Sequence, residues 1–112
     1  MNITIYTQSN ISPPEFFDGH FIREGALSGL LTGITISDLS YQREHGMFNS
    51  NEMISFTVGF ASNVAINLFA NWLWEKLRRL KIKEIEIEKE TIEIKDKEGF
   101  IRIVKEHIKL NP

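Results

Sequence analysis

Met53–Leu80 of this 112-residue chain contains no proline, and Gly59 is its only glycine. Proline and glycine are the residues that most strongly interrupt a helix, so their scarcity here constrains the fold more than any other feature. The stretch predicts one long helix over residues 50–80. Asn49-x-x-Glu52 has the spacing of a capping box, with an Asn oxygen in the place of a hydroxyl. At the other end Lys76, Arg78, Arg79, Lys81 and Lys83 form a basic knot suited to the negative pole of the helix dipole. In such a helix Met53–Leu80 alone would span about 42 Å at 1.5 Å per residue. A 100-residue domain has a radius of gyration of only about 13 Å. Its apolar residues also run most of the way round, from Ile54, Phe56, Val58 and Phe60 through Val64, Ile66, Leu68 and Phe69 to Trp72, Leu73, Trp74 and Leu77. One small sheet covers a single stripe of a helix, so part of this surface is expected to meet something else.

A narrow polar stripe runs along the same stretch. Ser55, Gly59, Asn63, Asn67 and Asn71 recur every four residues and would stack on one side of a helix. Three readings stand. The stripe is a solvated strip on an otherwise buried helix. It is a self-association seam, in which small residues allow close approach and the Asn amides bond across helices. Or Met53–Trp74 is a membrane span of about 22 residues, with Trp72 and Trp74 as an interfacial belt beside a positive anchor. Three Asn, two Ser and one Thr inside the stretch weigh against the third.

The remaining elements build a sheet. Asn2–Thr7 alternates Ile3 and Ile5 with polar residues, as in a half-buried strand. Pro13 and Pro14 mark a turn over residues 9–14. Residues 15–33 are ambiguous: Phe16, Phe17, Phe21, Ile22, Leu27, Leu30 and Leu31 suit a helical face, whereas Gly25, Gly29 and Gly33 weaken one. Ile34–Arg43 reads as a strand whose apolar phase slips near Ser37–Asp38, which predicts a bulge; Glu44–Ser50 follows as a loop. Residues 82–95 read as a hairpin with a four-residue loop, Ile87 opposite Ile92, Ile85 opposite Ile94 and Glu84 opposite Lys95. Asp96 is placed to cap a terminal helix over 97–109, with Phe100, Ile101, Val104 and Ile108 inward. The expected fold is α+β. It is a single domain over residues 1–112, with a small, mostly antiparallel sheet of about four strands, one long central helix and a short C-terminal helix. Residues 1–43 would supply strand, helix and strand.

Composition bounds the chemistry. There are 13 Lys+Arg against 15 Asp+Glu, three His, and no Cys, and 42% of residues are hydrophobic. Lack of cysteine excludes disulfides, thiol catalysis and thiolate metal sites. The N-terminus has no basic segment followed by an apolar one, so no signal peptide is expected and the reading is cytoplasmic, with membrane association as the alternative. A balanced charge does not favour nucleic acid as the main partner. That balance hides an asymmetry: before Glu75 the only basic residues are Arg23 and Arg43, and the other 11 follow it. His20, His45 and His107 form no short pair, and Asp18-x-His20 alone is a weak metal signal. Gly25-Ala26-Leu27-Ser28-Gly29 is neither a nucleophile elbow nor a dinucleotide fingerprint. No enzyme activity, cofactor or metal is expected. The knot Lys76, Arg78, Arg79, Lys81 and Lys83 is kept as a candidate contact for anions, against the plainer reading of a helix C-terminal charge cluster.

One pattern carries a resemblance. An Ala/Ser/Asn-containing apolar stretch, Ile54 to Trp74, closes in a Trp-Leu-basic end and runs into a charged hairpin, Ile85–Glu88 and Thr91–Ile94. A short terminal helix, Phe100–Ile108, follows. Over residues 44–108, with an N-terminal strand at Ile3–Tyr6, this resembles the effector-associated constant component one family of bacterial conflict systems. The resemblance implies a small non-enzymatic adaptor that couples a sensor or effector to its partners by self-association. The partner would be a protein, a second copy of the chain, or both. The partner-binding residues are then expected on the long helix: Phe56, Phe60, Phe69, Trp72 and Trp74 as aromatic anchors, with Asn63, Asn67 and Asn71 setting register. Two other readings remain: a membrane-active protein that inserts residues 53–74, and a phage-type inhibitor that binds a host protein complex through the charged C-terminal third.

Overall fold

A computed structural model describes residues 1–7, 16–17, 22–23, 26–27, 33–45 and 50–110. The long stretch of the sequence divides in two. Strand β5, Ser50–Phe60, comes first, and helix α1, Asn63–Arg79, follows after Ala61 and Ser62. The expected helix over 50–80 is therefore corrected: its first third is a strand. The physical reason is local. Ile54, Phe56 and Val58 alternate with Ser55, Thr57 and Gly59, so an extended chain sends all three large side chains to one face, where each is buried. Ile, Val and Phe also favour a pleated surface over a helix. Glu52 lies within β5, 1% exposed, and makes no capping box; Asn49 lies outside the described residues. The helix is capped instead by Ser62, whose Oγ accepts from the Ala65 N–H at 3.2 Å. The sequence from 53 to 74 is not one continuous helix, and among the described residues no helix is long and apolar enough to cross a membrane.

Five antiparallel strands form the main sheet. Strand β1 is Asn2–Thr7, β4 is Ile34–His45, β6 is Glu84–Ile87 and β7 is Glu90–Glu93, and the order across the sheet is β4-β5-β1-β6-β7. The fold is α+β as expected, with β5 as the additional strand. β1 lies at the centre. Ile3 is paired with Phe56 on one side and Ile87 on the other, and Ile5 with Ile54 and Ile85. β5 and β6 thus run in the same direction on either side of β1, and α1 makes the crossover between them. The slip foreseen in β4 is present, with the register shifting between Ser37 and Ser40 and Asp38 at a φ of 51°. The loop expected after it is shorter than drawn, because Glu44 and His45 continue the strand opposite Asn51 and Ser50.

Two short strands, β2 (Ile22–Arg23) and β3 (Ala26–Leu27), form a separate antiparallel pair with Ile22 opposite Leu27. Ile22 and Leu27 consequently do not share a helical face. Gly33 precedes β4 in a turn at a φ of +83°, which fits the reading of that glycine as turn punctuation. The turn over 9–14, with Phe21, Gly25, Gly29, Leu30 and Leu31, lies outside the described residues.

The β6–β7 hairpin is tighter than predicted. Ile85 faces Ile92, Ile87 faces Glu90, and Glu84 faces Glu93, so the four-residue loop is replaced by a two-residue turn at Glu88-Lys89. Both turn residues have positive φ, 52° and 65°, the conformation that matches the twist of paired strands but suits Asn and Gly better than Glu and Lys. Tertiary bonds hold it. Glu88 accepts the Asn2 N–H on Oε1 at 2.8 Å, and its own N–H donates to the Asn2 carbonyl at 2.9 Å. Lys95 does not sit opposite Glu84; its Nζ lies 3.6 Å from Glu93 and relieves the like-charged cross-strand pair.

Helix α1 ends in a Schellman motif. The Ile82 N–H reaches the Leu77 carbonyl at 2.9 Å, and the Lys81 N–H reaches that of Arg78 at 3.2 Å. Lys81 takes the left-handed conformation, φ 58°, that glycine ordinarily occupies there. The end in the basic knot is as expected. Asp96 caps helix α2, Lys97–Leu110, by accepting the Gly99 N–H at 2.7 Å.

α1 buries Ala65, Phe69, Ala70, Leu73, Lys76 and Leu77 along one stripe against the sheet. Phe16, Phe17, Phe56, Phe60, Phe69 and Trp72 form a connected aromatic cluster between them, in which Phe17 and Trp72 stack within 9° of parallel. α2 closes the other end: Phe100 and Val104 are buried, and Phe100 lies 5.9 Å from Trp74, ring centre to ring centre.

Two positions carry a removable local penalty. Lys81→Gly and Lys89→Gly are each expected to raise unfolding stability by about 1 kcal/mol, because a non-glycine residue is disfavoured by about 1–2 kcal/mol at left-handed φ. Urea titration followed by circular dichroism measures both; no gain at either site would refute the backbone assignment.

Candidate interaction surface

The side chains singled out in the sequence divide between the interior and the surface. Phe56 and Phe69 have no solvent exposure and belong to the core. Phe60, Trp72 and Trp74 are half-buried and pack on that core. Trp72 is engaged by Phe16, Phe17 and Phe69, and Trp74 by Phe100. Phe56 and Phe69 therefore have no surface to offer as the partner anchors expected of them, whereas Phe60, Trp72 and Trp74 keep part of theirs. The domain uses them to join α1 to the sheet and to α2. The polar stripe is also split, because a strand and a helix present every fourth residue differently. Ser55 and Gly59 lie in β5 on the sheet face turned away from the buried isoleucines, where Ser55 Oγ and Thr4 Oγ1 are 3.1 Å apart and Gly59 is opposite Thr35. Only Asn63, Asn67 and Asn71 remain together on α1.

On the outward side of α1 a small surface can be built from the helix period. Asn63 and Asn67 are exposed, and Asn71 is half-buried with its Nδ2 donating to the Asn67 carbonyl at 2.8 Å. One residue further along the chain lie Val64 and Leu68, 67% and 45% exposed. They are one turn apart, so their apolar surfaces join into a ridge beside the Asn row. Across the Asn row from the ridge a recess of about 250 Å³ is lined by Asn63, Ile66, Asn67, Lys105 and Ile108, where the first turns of α1 meet the end of α2. In the sequence Val64 and Leu68 are two of many apolar residues in the stretch from Ile54 to Leu77. The burial stripe of the shorter helix singles them out, because it leaves these two on the side opposite Phe69 and Leu73.

The basic knot does not act as a unit. Lys76 is 4% exposed, with its ammonium 6.0 Å from the centre of the Trp72 ring, so it is a core residue and not a surface contact for anions. Arg78 pairs with Glu75 at 2.9 Å, one helical turn back. Arg79, Lys81 and Lys83 are exposed. The Arg78 guanidinium, by hydrogen bond first and by charge second, holds the Glu75 carboxyl below its usual range. On the far side of the sheet Tyr6 donates to Glu86 at 3.2 Å, and its phenol is held above its usual range by desolvation first and by the Glu86 carboxylate second. His107 Nε2 lies 3.6 Å from Glu90 and flanks the apolar face of α2. Among the described residues no three His, Asp or Glu side chains converge as metal ligands. Comparison with family models, with curated proteins and with solved structures finds no match for the chain.

Core and surface assignments separate by mutation. Phe69→Ala is expected to cost about 3–5 kcal/mol of unfolding stability, whereas Val64→Ser should change it by no more than about 0.5 kcal/mol. Equal losses in chemical denaturation would place Val64 in the interior. The Glu75–Arg78 pair gives a pH signature. A carboxyl with a lowered pKa in the folded state contributes stability above its unfolded value, and loses it as pH falls through the folded value. Glu75→Gln should therefore narrow the stability difference between neutral and acid pH, and an unchanged pH profile would show the pair to be idle.

Proposed function

We propose that this chain is a non-enzymatic protein-interaction module that self-associates through the outward face of α1. The observation that carries the proposal is the Val64–Leu68 ridge, apolar and exposed, set beside a row of Asn amides whose other side borders the recess that ends at Ile108. An apolar ridge beside hydrogen-bonding side chains is the composition of a contact surface, with the ridge supplying burial and the amides supplying register. Burying what is still exposed of Val64 and Leu68, 67% and 45%, supplies about 1–2 kcal/mol each. A stable interface covers about 800 Å² per partner, so Ile66, Lys105 and Ile108 at the recess belong to the same contact. Two copies related by a twofold axis near Asn67 would set the ridge of each against the recess of the other. The resemblance to the effector-associated constant component one family supports the wider context: an adaptor of a prokaryotic conflict or defence system, joining its partners by assembly. The division of residues 53–74 into strand and helix removes the continuous segment on which the membrane-inserting alternative was built.

Light scattering coupled to gel filtration tests the association. At about 100 μM the chain should elute as a dimer or larger assembly, since a Kd near about 10 μM already populates one. Leu68→Lys and Asn67→Leu should both shift it toward monomer with unchanged circular dichroism. A monomeric parent chain, or variants that assemble as the parent does, would overturn the proposal.

A further inference from the structure

We draw no further inference here: the strongest candidate, the recess of about 440 Å³ at the junction of β5 and α1 lined by Met1, Val58, Phe60, Ile66 and Ile108, shares Ile66 and Ile108 with the surface already described, and nothing in the structure shows what covers it.

Discussion

β1 is paired along both edges, and the rest of the sheet depends on that pairing. Ile3 and Ile5 each meet a partner from β5 and a partner from β6, and all are essentially without exposure. Take the strand away and two antiparallel ribbons remain, β4–β5 and β6–β7. An isolated two-stranded ribbon is marginal in water because it cannot bury a face. One six-residue segment turns both into a single surface wide enough to hold a helix. Its influence reaches the turn as well: the bonds between Asn2 and Glu88 hold a tight hairpin whose own residues would not choose it. That is tertiary structure overriding local preference at a defined place.

Helix packing follows from the sheet. With β5 extended, Phe56 points into the layer that α1 must cover, and Phe69 and Trp72 come down on it from the helix. Aromatic side chains bury large areas and favour edge-to-face contacts, which makes this cluster the natural core of a small domain. Its demand for aromatic surface explains why so little of it reaches solvent. What remains outside on α1 is smaller and more polar: Val64 and Leu68 among Asn63, Asn67 and Asn71. An interface made from such residues relies on shape and amide bonding more than on large aromatic anchors. It would accordingly be sensitive to single changes on the ridge.

Legibility varied along the chain for identifiable reasons. β1, the bulge near Ser37–Asp38 and the Asp96 cap were readable because each depends on residues adjacent in sequence. The alternation from Ile54 to Phe60 was equally present, but it abuts a true helix with no proline or glycine between them, and the two periods merge into one apolar run. Ser62 was the available boundary signal, since a hydroxyl residue before Asn63–Arg79 has the chemistry of a helix cap. The hairpin's apolar face was readable from Ile85, Ile87 and Ile92. Its register was not, because the turn is stabilised by Asn2, some 86 positions away. For the surface, the Asn row was visible, whereas the apolar ridge beside it was hidden among residues of the same hydrophobicity.

By itself the sequence determined the α+β composition, the antiparallel strands at either end of the chain, the basic close of the central helix and the exclusion of cysteine chemistry. These follow from residue type and short-range period, which act within a few positions. Tertiary structure alone decided that residues 50–60 belong to the sheet, that Phe56, Phe69 and Lys76 face inward, and that Val64 and Leu68 face out. The reason is that burial is a property of pairs. An apolar side chain becomes core or contact surface according to which element lies across from it, and β1 and α2 settle that from opposite ends of the chain.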